Sequence, residues 1–97
     1  MMRYRLNARA RAEIRKAGEH YKGEGDRISY AFAKALRGAL DLITAIPESS
    51  PADEYGIRRK HLTNFPFTLI YYLEDDVVEI VALMHQSQKP GYWRNRL

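Results

Sequence analysis

Among the residues of this 97-residue chain that could move a proton or hold an anion, a few are candidates for catalysis. They are His61, His85, the basic run Arg58-Arg59-Lys60, and Tyr92. Together such groups could cleave a phosphodiester without a metal. One would serve as base for an attacking 2′-hydroxyl, a cation would face the phosphorane, and one would act as acid for the leaving oxygen. On a strand, however, Arg58 and Lys60 point to one face and Arg59 to the other, so the run does not supply three converging cations. The competing reading is a charged edge strand that resists unwanted pairing. His61 sits at a strand end beside Leu62 and reads as a hydrogen-bonded structural residue. His85 follows an apolar strand, where the same role is open to it.

Other chemistries are excluded by what is missing. The chain has three histidines, spread over positions 20, 61 and 85, and no cysteine. Metal sites, disulfides, iron–sulfur clusters and thiol nucleophiles are therefore not expected. There is no Gly-rich phosphate loop, nucleophile elbow or carboxylate pair, and no cofactor is expected. Glu74, Asp75 and Asp76 share one turn and read as solvated hairpin residues. Tyr92 and Trp93, flanked by Arg94 and Arg96, form an aromatic pair suited to base stacking or to a protein hot spot. Alternatively, the same rings fold onto the sheet and anchor the C-terminal segment. Both readings stay open at this stage.

The elements that must position these residues follow from periodicity. Tyr4–Leu6 reads as a short strand and Asn7 as an N-cap. A helix from Ala8 to about Tyr21 carries a narrow stripe of Ala10, Ile14, Ala17 and Tyr21, with Arg9, Arg11, Glu13, Arg15 and Lys16 assigned to the opposite face. Small residues in the stripe predict close packing on a second element. Residues 22–25 read as a turn, with Asp26 capping a longer helix. Its apolar face is Ile28, Phe32, Ala35, Leu36, Ala39, Leu40, Ile43 and Ile46, and Pro47 ends it. After a polar loop over residues 47–56 the period switches to strands at 57–62, 67–73 and 77–84. The last, Val77–Met84, is apolar almost throughout and should be central and covered on both faces. The expected fold is α+β, ordered β-α-α-β-β-β, a helical hairpin on a small, mainly antiparallel sheet in one domain spanning 1–97.

Charge divides unevenly along the chain. Residues 1–46 hold ten Lys/Arg against five acids, 47–80 hold three against seven, and 81–97 hold three and no acid. Eleven of the sixteen cations are Arg, whose rigid fork suits carboxylates and phosphates. No segment is apolar for long enough to span a membrane, and no signal peptide is visible, so a soluble, cytoplasmic protein is expected.

Several local signatures, taken in order, resemble the RelE/ParE superfamily of type II toxins, most closely its ParE branch. They are Gly56-Ile57-Arg58-Arg59-Lys60, Asn64-Phe65-Pro66-Phe67, Ile70-Tyr71-Tyr72, the Glu74-Asp75-Asp76 turn, the apolar strand ending at His85, and Pro90-Gly91-Tyr92-Trp93-Arg94. The resemblance covers residues 3–94 and implies a toxin neutralised by a cognate, ParD-like antitoxin. It implies DNA gyrase as the target, inhibited by binding with no catalytic residues; the aromatic pair itself makes Tyr92, Trp93 and Arg94 the expected target contacts. Arg9, Arg11 and Arg15 are the expected antitoxin contacts. The alternative is a RelE-like, ribosome-dependent messenger-RNA endoribonuclease working through Arg58, Lys60, His85 and Tyr92. A third reading is an inactive scaffold that only binds antitoxin. Gln86-Ser87-Gln88-Lys89 stands where many relatives carry an arginine pair, which disfavours the ribonuclease.

Overall fold

Strand β1 (Arg3–Leu6) opens the chain in the computed structural model, which describes all of residues 1–97. Helices α1 (Ala8–Glu24) and α2 (Asp26–Ala45) follow, then strands β2 (Arg58–His61), β3 (Phe67–Glu74) and β4 (Val77–His85). Short 3₁₀ turns occupy Pro47–Ser49 and Arg94–Arg96. The order and class match the expectation from sequence. No helix is long and apolar enough to cross a membrane.

Asn7 caps α1 as its type predicts, its Oδ1 accepting from the Arg9 amide at 2.8 Å. The hairpin turn is tighter than residues 22–25. Helix α1 runs through the exposed Gly23 to Glu24, and Gly25 alone makes the reversal. Its φ of 139° lies where side chains are strained. Its amide closes α1 on Tyr21, and its carbonyl accepts the Ser29 amide to begin α2. Asp26 is therefore the first helical residue rather than the cap, and its carboxylate faces the positive helix end. At the other end Pro47 forces Ile46 out of the helical region (φ −134°, ψ 72°). That swings Ile46 off the apolar stripe, leaving it 56% exposed.

The sheet order is β1-β4-β3-β2. β1 pairs parallel with β4, and the other two pairings are antiparallel. β4 is thus central and β2 an edge strand, as the apolar run and the charged run respectively imply. The helical hairpin covers one face. There Phe32, Ala39, Leu40 and Ile43 of α2 and Ala10, Ala17 and Tyr21 of α1 meet Leu69, Tyr71, Val78, Ile80 and Leu83. The opposite face has no helix. Its cluster of Ile57, Ile70, Val81 and Ala82 is closed by Trp93 from the C-terminal segment. Burial on both faces explains why β4 lacks a polar alternation.

Candidate functional site

The C-terminal segment is built by a chain of local hydrogen bonds. His85 offers its amide to Gln88 Oε1 and its carbonyl to the Gln88 amide, at 2.8 and 3.0 Å. The Ser87 amide donates to His85 Nδ1 at 3.0 Å, and the Ser87 hydroxyl lies 2.8 Å from the same nitrogen. His85 therefore holds a turn. Lys89-Pro90-Gly91-Tyr92 forms a second turn, closed by the Tyr92 amide on Lys89 O at 3.2 Å. Pro in its second place and Gly91 at φ 80° in its third are the residues a type II turn requires. The chain then lies back along the helix-free face.

There the expected exposed aromatic pair is corrected. Trp93 is 1% exposed and fills the second core against Ile57, Ile70, Val81 and Ala82, so its ring is not presented as a contact surface. Tyr92 is half-buried, and its hydroxyl donates to Glu13 Oε2 at 2.6 Å. Burial first, and the Glu13 hydrogen bond second, raise the phenol pKa well above its usual value. A proton so held is a poor one to deliver to a leaving group. Apolar contact on a sheet face with no helix is what drew these rings inward, the second of the two readings left open.

Arg94 is the member of the trio that reaches solvent. Its guanidinium carbon stands 4.8 Å from the Trp93 ring centroid and 5.4 Å from that of Tyr55. A Cβ at Gly91 would meet Arg94 Nε at 3.1 Å, so glycine also makes room for this side chain. Arg59 lies over Trp93 too, at 5.9 Å, but is paired with Asp53 at 3.2 Å. Asp53 in turn accepts the Tyr55 and Ile57 amides at 2.8 and 3.0 Å, which fixes the loop carrying Tyr55. Those contacts, led by the Ile57 amide, hold its carboxyl below the usual carboxylate range. Beside Trp93 a groove of about 560 Å³ is rimmed by Arg59, His61, Thr68 and Gln86. His61 is engaged with Thr68 Oγ1 at 2.6 Å.

The four residues of the ribonuclease alternative do not converge. Arg58 donates to the Ser50 carbonyl. Lys60 lies in a groove between β2 and α2, beside Lys34 and Gly38. His85 lines a different groove with Glu13, Lys16 and His20, and the same Glu13 holds the Tyr92 hydroxyl. Arg59, between the first two in sequence, faces the Trp93 side, the strand alternation that the sequence implied. No cluster of His, Asp and Glu suits a metal ion. Arg9, Arg11 and Arg15 are all exposed on α1, and Arg15 is only 4.0 Å from Glu19.

Glu13 is the residue that sequence reasoning misplaced. It accepts from the Leu83 amide at 3.1 Å, from Tyr92, and from both terminal nitrogens of Arg96 at 2.8 and 3.1 Å. The signal was present. Glu13 is three residues after Ala10 and four before Ala17, which places it on the flank of the buried stripe rather than opposite it.

The sequence model for the ParE toxin of the type II toxin–antitoxin system parDE matches residues 4–90. The chain belongs to the ParE toxin family. Among curated proteins no relative is found by sequence. Among solved structures the ParE-family chain is similar to one from the chromosomal ParDE toxin–antitoxin system of P. aeruginosa. That similarity has a TM-score of 0.73 at 16% identity, over 88% of this chain and 96% of the other. At that identity the shared fold is what the likeness carries. The family match ends at residue 90, so Trp93, Arg94 and Arg96 lie beyond the matched segment.

Proposed function

We propose that this ParE-family toxin acts in the cytoplasm by binding rather than catalysis, with DNA gyrase as its target and a ParD-like antitoxin as its neutralising partner. The observation that carries binding over cleavage is that Arg58 and Lys60 stand apart from His85 and Tyr92, and that the Tyr92 hydroxyl is held by Glu13. Proton transfer in line across a phosphodiester needs its acid and base within hydrogen-bond reach of one substrate. The contact to the target falls to Arg94, an exposed guanidinium without a carboxylate partner, steadied by Trp93 beneath and Tyr55 beside it. A planar cation stiffened in this way loses less freedom on meeting a carboxylate. Tyr92 and Trp93 serve the same surface from below. The kinship with ParE toxins supports gyrase as the target, and the ParDE system of the similar structure supports an antitoxin partner.

Supercoiling by purified gyrase should be inhibited by the purified protein and restored by stoichiometric antitoxin. Arg94→Ala should weaken inhibition about tenfold or more, the order of one well-placed arginine contact. Codon-periodic cleavage of messenger RNA on ribosomes, lost in Tyr92→Phe, would replace this reading with the ribonuclease. Antitoxin binding with neither activity would mark an inactive scaffold.

A further inference from the structure

We infer that Glu13 is a positioning residue, a latch on helix α1 that holds the C-terminal segment against the sheet and so fixes where the Arg94 guanidinium stands. The functional part of this inference rests on the reading of that segment as the target-binding element; the latch itself does not.

The need for a latch begins in the sheet. β1 ends opposite Ile80, so from Val81 onward β4 has no strand on that side. A register shift, with Ile70 opposite Ala82 and Tyr71 opposite Ile80, leaves Val81 as an extra residue at the start of this open edge. Backbone groups there still require partners. Leu83 gives its amide to Glu13, Val81 O accepts from Arg96 at 3.1 Å, and His85 is satisfied by Gln88. Side chains of α1 and of the C-terminal segment thus take the place of a fifth strand.

Glu13 is where helix, sheet and C-terminal segment meet. Its two oxygens receive one donor from β4 and three from the segment, including both terminal nitrogens of Arg96. The Arg96 and Glu13 side chains are 9% and 20% exposed, so water screens the pair weakly. Arg96 also lies 5.1 Å from the Tyr92 ring centroid, joining the two donors from the segment. Residues 81–97 contain no acidic side chain, so a side-chain carboxylate for Arg96 comes from elsewhere in the chain. Glu13, eighty-three residues away, supplies it. Arg94 sits between Trp93, sunk in the second core, and the Arg96 turn. With both neighbours fixed, its direction is fixed. With Glu13 gone, the segment keeps the Trp93 ring, the Arg96–Val81 hydrogen bond and its own local turns, but no hydrogen bond to α1.

Trp93 is the chain's single tryptophan, so its fluorescence reports docking of this segment on the second core. In Glu13→Ala, emission should shift to the red and acrylamide quenching should rise several-fold, with far-UV circular dichroism unchanged. Glu13→Gln keeps an amide oxygen for Leu83 or Tyr92 and should fall between wild type and Glu13→Ala. Arg96→Ala removes the segment's half of the pair while leaving Glu13 on Leu83, and it decides the matter should Glu13→Ala fail to fold. Gyrase inhibition should fall in the same order as quenching rises. Trp93 as shielded in Glu13→Ala and Arg96→Ala as in wild type would overturn the latch, whatever the target. Trp93 released while inhibition persists would leave the latch standing and overturn the segment's part in target binding.

Discussion

Trp93→Ala separates a core tryptophan from a surface one by stability alone. The indole is 1% exposed and packs on Ile57, Ile70, Val81 and Ala82. Burying roughly 200–250 Å² of tryptophan surface at about 25 cal/mol/Å² is worth about 5–6 kcal/mol as an upper bound. Measured losses for Trp or Phe to Ala in cores are about 3–5 kcal/mol. The structure sets a further ceiling, because the C-terminal segment can detach while the helical face stays packed. The loss then cannot exceed the free energy of docking the segment, plus that of baring the second core. We therefore expect about 3–4 kcal/mol from a domain whose whole stability is on the order of 5–15 kcal/mol. Urea unfolding followed by far-UV circular dichroism is the assay, since the variant has no tryptophan. With a slope of about 1–3 kcal/mol per molar, the midpoint should fall by at least about 1 M. A loss below about 1 kcal/mol, near that of an ordinary surface change, would mean that Trp93 is not docked in solution.

Other outcomes follow from the same geometry. Phe32, 3% exposed and ringed by Tyr21, Phe65 and Phe67, should not tolerate Asp. An unpaired charge there costs several kcal/mol, and a soluble, cooperatively melting Phe32→Asp would contradict the packing. Asp53 has a carboxyl pKa lowered by folding, so its contribution is present above the unfolded value near ~3.9 and is lost as pH falls through the lower folded value. Amide signals of Tyr55 and Ile57 should move in that acid window, and in Asp53→Asn the movement should be absent. Reversing the charge of Arg9, Arg11 and Arg15 together should weaken antitoxin binding at low salt, with the difference closing as salt rises. Equal affinity at low salt would remove these three from the interface.

Local chemistry and periodicity, both properties of the chain itself, determined much of this protein. Phe32, Ala39 and Ile43 recur at helical spacing whatever lies above them. Pro47 stops a helix by its own ring, and Val77–Met84 is apolar almost throughout, the pattern of a strand covered on both faces. The alternation of Arg58, Arg59 and Lys60 on an edge strand was legible for the same reason. Even Glu13 was marked by its spacing from Ala10 and Ala17, although no spacing could say which cation it meets. What only the tertiary structure decided is how the helix-free face of the sheet is closed. Two helices cover one face and leave Ile57, Ile70, Val81 and Ala82 bare on the other. Trp93 returns to close that face, and the acid that secures its segment lies in α1, remote in sequence. Burial and ion pairing between segments so far apart have no period to read. They arise only when the sheet brings the two ends of the chain to the same edge.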